Sequence, residues 1–254
     1  MKRFLTILGL ALFLPLPALA NSEQREPKQI PWPYEGVGGT FDKQAIQRGF
    51  QVYKEVCASC HSLKHVAYRN LMSVGFSEDE VKAIAAEKTV IDGFDKTGEP
   101  QDRPAKPSDH IVGPFKNEQE ARSSNNGALP PDLSLIIKAR EGGGDYVYSI
   151  LTGFTEVPPE EVHIGENMHY NPYFPGRQIA MPPPLASDGQ VEYADGTPAT
   201  VDQMARDVVQ FLQWAAEPEM EERKSMGISA LVFLGAFTFL FFAAKKRIWK
   251  GVEK

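Results

Sequence analysis

Apolar and polar positions divide this chain into three unlike regions. Phe4 to Leu14 is a short apolar run behind Lys2 and Arg3, and it ends at Pro15 and Pro17 ahead of Ala18-Leu19-Ala20. A positive start, a brief apolar stretch and a small-x-small site are the parts of an export signal. The run is too short to cross a bilayer. Residues 1–20 are predicted to be a signal peptide, with the mature chain starting at Asn21. Near the other end, Met226 to Ala244 carries no charge over nineteen residues, and Lys245, Lys246, Arg247 and Lys250 follow at once. As a helix this stretch is roughly 28 Å long, close to the ~30 Å hydrocarbon core. Phe233, Phe237, Phe239, Phe241 and Phe242 lie all round it, so no face is left for water. Basic residues beside a span mark the cytoplasmic side. The pattern predicts an exported body over 21–225, one transmembrane helix over 226–244 and a cytoplasmic basic tail over 245–254.

Within the body two amphipathic helices stand out. From Asp42 to Val56, Ile46, Gly49, Phe50, Tyr53 and Val56 recur at helical spacing, with Asp42 placed to cap. From Val201 to Ala216, Met204, Val208, Phe211, Leu212 and Ala215 repeat in the same way behind Thr200. Gly49 in mid-helix costs about 1 kcal/mol relative to Ala, which is explained if the second helix crosses closely there. The segment from Asp92 to Asn126 is polar, rich in Pro and charge and without apolar periodicity, and is expected to be a long loop.

Composition narrows the function classes. The 254 residues carry a net charge of −6, which disfavours a nucleic-acid partner. Without the two positive charges of the signal and the net four of the tail, the exported body stands at −12. Acidic groups at Glu78-Asp79-Glu80, at Glu156, Glu160 and Glu161, and at Glu217, Glu219, Glu221 and Glu222 are singly read as solvated faces. The 20 Pro and 21 Gly favour long loops between few helices. Two cysteines cannot form a multi-disulfide scaffold.

Those two cysteines stand in Cys57-Ala58-Ser59-Cys60-His61, a C-x-x-C-H run at the end of the first helix. This is the c-type haem attachment motif: two thiols spaced for the haem vinyl groups, then an imidazole for the iron. A thioredoxin-like pair would not need His61 and belongs in a βαβ context that the pattern lacks. A zinc site would need further ligands, and no other cysteine exists. The sixth iron position decides between electron carriage and peroxidase or gas-sensing chemistry. His65, His110, His163, His169, Met72, Met168, Met181 and Met204 are the body's choices. Met181 is favoured because it opens Met181-Pro182-Pro183-Pro184, a stiff segment suited to holding a weak thioether. A bis-His iron through His163 or His169, and an open site, are the alternatives.

The chain resembles the cytochrome c1 family, the haem c subunit of quinol–cytochrome c oxidoreductase (bc1) complexes. The resemblance rests on RGFQVYKEVCASCHSL at Arg48 to Leu63, NNGALPPDLS at Asn125 to Ser134, GGGDYVYSILTGF at Gly142 to Phe154, NPYFPG at Asn171 to Gly176, AMPPPL at Ala180 to Leu185, DGTPAT at Asp195 to Thr200 and WAAEPE at Trp214 to Glu219. It implies a mostly α, class I-like cytochrome c haem domain with long loop insertions, plus one C-terminal transmembrane helix. It implies covalent haem c on Cys57 and Cys60, with His61 and Met181 as axial ligands. Arg140, Tyr146 and Asn125 would meet the haem propionates, and the Pro131 carbonyl would hold the free nitrogen of His61. The implied partners are cytochrome b, the Rieske iron–sulfur protein as electron donor and a soluble basic cytochrome c as acceptor. The implied place is a bacterial inner membrane, single-pass, with the haem domain periplasmic. A membrane-anchored carrier cytochrome outside any such complex is the runner-up.

Overall fold

Asp42 starts the first long helix, α1 (Lys43–Glu55), by accepting from the backbone N–H groups of Gln44 and Ala45 at 3.0 and 3.1 Å. Thr200 does the same for α6 (Val201–Ala216), accepting from Gln203 N at 3.1 Å. Both helices bury the faces that the periodicity marks: Ile46, Phe50 and Tyr53 on one, Met204, Val208 and Phe211 on the other. They cross at Gly49, where a Cβ would lie 2.0 Å from the carbonyl oxygen of Asp207. Beside the crossing, the rings of Phe50 and Tyr53 each meet that of Phe211 at 5.6 Å. Edge and tilted ring contacts of this kind add to area burial.

The computed structural model describes residues 24–160 and 162–252; the predicted signal peptide lies outside them. Around the α1–α6 pair stand α2 (Glu78–Ala86), α3 (Glu118–Ser124), α4 (Ile136–Ala139) and α5 (Gly143–Thr152), with α4 and α5 both against α6. The segment before α1 runs extended along α5. The Lys28 N–H donates to Ser149 Oγ at 2.8 Å, and Trp32 Nε1 donates to the Asp145 carboxylate at 2.7 Å.

Three small two-stranded antiparallel sheets stand in the described body: β1 (Leu63–Ala67) with β4 (His110–Ile111), β2 (Thr89–Phe94) with β3 (Pro100–Pro104), and β5 (His169–Tyr170) with β6 (Gln178–Ile179). This corrects the loop expected over 92–126. The stretch holds the end of β2, all of β3 and β4, and helix α3. Periodicity missed the hairpin because its strands are almost wholly exposed and bury no alternating apolar face. Local chemistry makes it instead. Asp95 accepts from Thr97 N and Glu99 N across the turn, and Gly98 takes a φ of +87° there.

The apolar run near the C-terminus is one continuous helix, α7 (Met220–Trp249), longer at both ends than the uncharged stretch. It is long and apolar enough to cross a membrane. At about 1.5 Å per residue its thirty residues reach ~45 Å.

Candidate functional site

α1 ends at Glu55 with Val56 as its cap, and the next three residues, Cys57 to Ser59, make a tight 3-10 turn. The Cys57 carbonyl accepts from both Cys60 N at 3.1 Å and His61 N at 2.9 Å, so one acceptor organises the whole C-x-x-C-H run. Tyr53 adds a bond from its hydroxyl to the His61 carbonyl at 3.3 Å. Cys57 and Cys60 are half-buried and form no disulfide with each other. Burial, reinforced by the neighbouring Cys60, pushes the Cys57 thiol up to about 12. A dithiol redox centre needs an accessible thiolate near neutral pH, so this thiol does not suit one.

His61 is the best-fixed residue of the site. Its Nδ1 lies 2.8 Å from the carbonyl oxygen of Pro131. A carbonyl can only accept, so Nδ1 carries the proton and Nε2 is left with its lone pair. Burial also holds the imidazole below its ordinary range, against the opposing pull of Pro131 and Asp132. The result is a neutral ring with one nitrogen engaged and the other free.

The Pro131 carbonyl is itself held in place. Asp132 Oδ2 accepts from Ser62 Oγ at 2.7 Å and from Lys64 N at 2.9 Å, while its Oδ1 accepts from Ser134 N at 2.9 Å. Ser134, fully buried, accepts from His65 N at 3.1 Å, and Leu133 N donates to the Ser62 carbonyl at 2.9 Å. Burial works against the Asp132 charge, but the bonds from Ser134, Lys64 and Ser62 outweigh it and keep the carboxyl below the usual aspartate range. Residues 131–134 are thus stitched to residues 62–65. Sequence reasoning named Pro131 but missed Asp132, Ser62 and Ser134. Their signal was the Asp-x-Ser spacing in PPDLS, a common way for a carboxylate to take a backbone N–H two residues on.

The remaining sites fall into separate groups. Arg140 follows α4 and is exposed, its guanidinium donating to the Ala139 carbonyl at 3.2 Å. Tyr146, half-buried in α5, has its phenol raised by burial and lowered by the Arg140 charge, so these two lie within electrostatic reach. Asn125 ends α3, and its side-chain amide donates to the Ala121 carbonyl at 2.6 Å. After it, Asn126 and Gly127 take φ of +52° and +88°, a left-handed turn that favours Asn and Gly. A cleft of about 460 Å³ opens beside Cys60, lined by Ser62, Phe115, Ala121, Leu129 and Pro130 among others.

Met181 is half-buried in the irregular segment between β6 and buried Leu185. The other sulfur and imidazole choices fare differently. Met204 is fully buried in the α6 core, Met72 and His65 are exposed, and so are His110 and His163. His169 and Met168 are half-buried at β5. Among the described residues no three His, Cys, Asp or Glu side chains converge as a metal cage, which leaves the zinc reading without ligands.

Comparisons with known proteins give the chain its family. The model of the Cytochrome C1 family matches residues 32–252. Cytochrome c1 of Rhodospirillum rubrum is 46% identical, covering 99% of this chain and 98% of that protein. The cytochrome b-c1 complex catalytic subunit of Candida albicans is 51% identical over 89% of this chain and 78% of its own. The cytochrome c1 heme protein of Saccharomyces cerevisiae is also 51% identical, over 87% of this chain and 72% of its own. With a match from Trp32 through α7 and identity near one half, the chain belongs to the cytochrome c1 family.

Proposed function

We propose that this chain is the haem c subunit of a bacterial quinol–cytochrome c oxidoreductase, and that it takes single electrons from a Rieske iron–sulfur protein and hands them to a soluble basic cytochrome c. The observation that carries the reading is the His61–Pro131 bond at the end of the C-x-x-C-H turn. It leaves a neutral imidazole with Nε2 free, directly after the two cysteines of the motif, and this donor set fits a covalently held haem. The relatives' names support the same reading: one is called a heme protein, another a subunit of a cytochrome b-c1 complex.

Haem supplies a one-electron iron couple when bound. Cys57 and Cys60 hold it by thioether bonds, and His61 and Met181 serve as axial ligands. A thioether raises the potential relative to a second imidazole. Arg140, with Tyr146 and Asn125, serves the propionates; a guanidinium offers a carboxylate two parallel donors. Pro131 fixes the His61 tautomer, and Asp132 fixes Pro131. Residues 1–20 export the body to the periplasm, α7 spans the inner membrane beside cytochrome b, and the basic residues from Lys245 on stay in the cytoplasm.

Replacing Met181 tests the ligation. Met181→Leu is expected to keep its haem through Cys57 and Cys60, to lower the reduction potential and to gain carbon monoxide binding in the reduced state. An unchanged spectrum and potential would place the sixth ligand elsewhere. Purification in mild detergent tests the assembly, since co-migration with a b-type cytochrome and an iron–sulfur protein is expected.

A further inference from the structure

The start of α7 is fastened to the haem-bearing helix through one loop. Residues 32–40 close on themselves: Glu35 N donates to the Trp32 carbonyl at 3.2 Å and Thr40 N to the Pro33 carbonyl at 3.0 Å. Only glycine fits at Gly39, because a Cβ there would lie 2.0 Å from the Glu35 carbonyl oxygen. This folding turns two backbone carbonyls, Tyr34 O and Gly39 O, toward one point, and the Lys224 ammonium donates to them at 2.6 and 3.0 Å. One turn earlier on α7, Glu221 accepts from Phe41 N at 2.6 Å. Phe41 directly precedes Asp42, the cap of α1, and α1 leads at its far end into the Cys57–His61 turn.

At the same joint, Glu217, just ahead of α7, joins Arg223 at 2.6 Å and Lys138 at 3.4 Å, and Met220 is buried. Only three residues separate α6 from α7. The helix then runs unbroken from this docked turn into its apolar stretch. A tether meant to swing would need a flexible, Gly- or Ser-rich joint at this point. Here the joint is bonded on two sides and buries an apolar side chain.

We infer that Lys224 and Glu221 are positioning residues that latch the haem domain in one attitude to the bilayer. This rests on the reading above and assigns the hold to this chain's own side chains, so that the attitude of the body to its membrane helix is set without help from partner subunits. Lys224 holds the loop from below and Glu221 holds the entry to α1. Breaking both frees the body to turn about the α6–α7 joint without disturbing the C-x-x-C-H turn.

The test uses the full-length haem-loaded chain, reconstituted alone into phosphatidylcholine vesicles and dried as oriented multilayers. Linear dichroism of the haem band reports the attitude of the ring to the membrane. The wild-type film is expected to be dichroic. Lys224→Met with Glu221→Ala is expected to lose most of that dichroism while its solution spectrum and potential stay as in wild type. Lys224→Arg, which still donates to carbonyls, should recover much of it. Glu221→Ala alone removes the acceptor for Phe41 N from an exposed side chain and should lose part of the signal even if the double variant folds poorly. Wild-type dichroism in both Glu221 variants overturns the inference, as does a wild-type film with none. Failure of the underlying reading looks different: the wild-type chain would then lack haem or wash off the vesicles in carbonate.

Discussion

The α carbon of Gly49 faces the carbonyl of Asp207 so closely that a Cβ would lie 2.0 Å from its oxygen and 2.8 Å from the Phe211 Cβ. Two effects of opposite sign meet at this residue. Alanine is the better helix former by about 1 kcal/mol. Overpacking a well-filled contact costs about 1–3 kcal/mol, and here the neighbour is backbone of α6, which cannot swing away. The clash wins. Gly49→Ala is expected to lower the midpoint of thermal loss of the haem band, the measurement that checks it, and an unchanged or higher midpoint would show that the helices can part without cost.

One residue away, Arg48 binds Asp207 through two bonds, Nε to Oδ2 at 2.8 Å and Nη2 to Oδ1 at 3.0 Å, and also reaches Asp195 at 2.9 Å. The Asp207 side chain has no exposure, whereas that of Asp195 keeps 43%. Removing one partner of a buried pair strands the other charge and costs about 3–5 kcal/mol. Removing an exposed partner costs about 0–1 kcal/mol. Asp207→Ala is therefore expected to destabilise severely and Asp195→Ala barely. Equal losses in urea titrations of the two variants would refute this division.

Much of this was readable beforehand, for physical reasons. Asp42 and Thr200 are short oxygen-bearing residues at the starts of apolar stripes, so both long helices and their crossing at Gly49 followed from spacing and capping alone. Cys57, Cys60 and His61 lie together in sequence, so their grouping needed no fold. Pro131 was reached through family resemblance; nothing in the local pattern ties it to His61, seventy residues away. Asp132 and Ser134 went unseen because a polar residue in a loop looks solvated until the strand that it bonds is known. The β2–β3 hairpin was hidden for a related reason, since exposed strands leave no alternation to read. The latch at Lys224 was also illegible: a lysine ahead of a membrane span reads as a flanking charge, and its two carbonyl acceptors lie far upstream.

Asp132 gives a pH prediction whose sign can be fixed. Its folded carboxyl sits below the ordinary value. A group depressed in this way adds stability that is complete above its unfolded value of about 3.9 and fades as pH falls through the lower folded value. Stability should thus fall on acidification below about pH 4 in wild type, and the part of the fall that belongs to this residue should vanish in Asp132→Asn. At neutral pH the Asn variant should already be less stable, because an amide cannot accept as strongly from Ser62, Lys64 N and Ser134 N. Thermal midpoints from pH 7 to pH 3 check both statements; parallel curves for the two proteins would mean the carboxylate is not the titrating anchor.

Charge at the surface governs the last prediction, which concerns the soluble acceptor. Several acidic groups that the sequence alone reads as solvated faces are paired within the chain: Glu78 and Asp79 with Lys82, Glu156 with Arg25, and Glu217 with Arg223 and Lys138. Pairing trims local fields but leaves the net charge of residues 21–225 at −12. Electron transfer between proteins proceeds through small, short-lived interfaces, where complementary charge acts mainly on the rate of association. The Debye length falls from about 10 Å at 0.1 M salt to ~3 Å at 1 M. On the proposed function, second-order transfer to a basic cytochrome c should therefore slow steeply as salt rises, whereas transfer from an iron–sulfur donor held within the same complex should change little. Stopped-flow rates across that salt range decide it. A flat profile for the soluble acceptor would mean that the paired and unpaired acids alike are only solvated surface, and that docking is apolar.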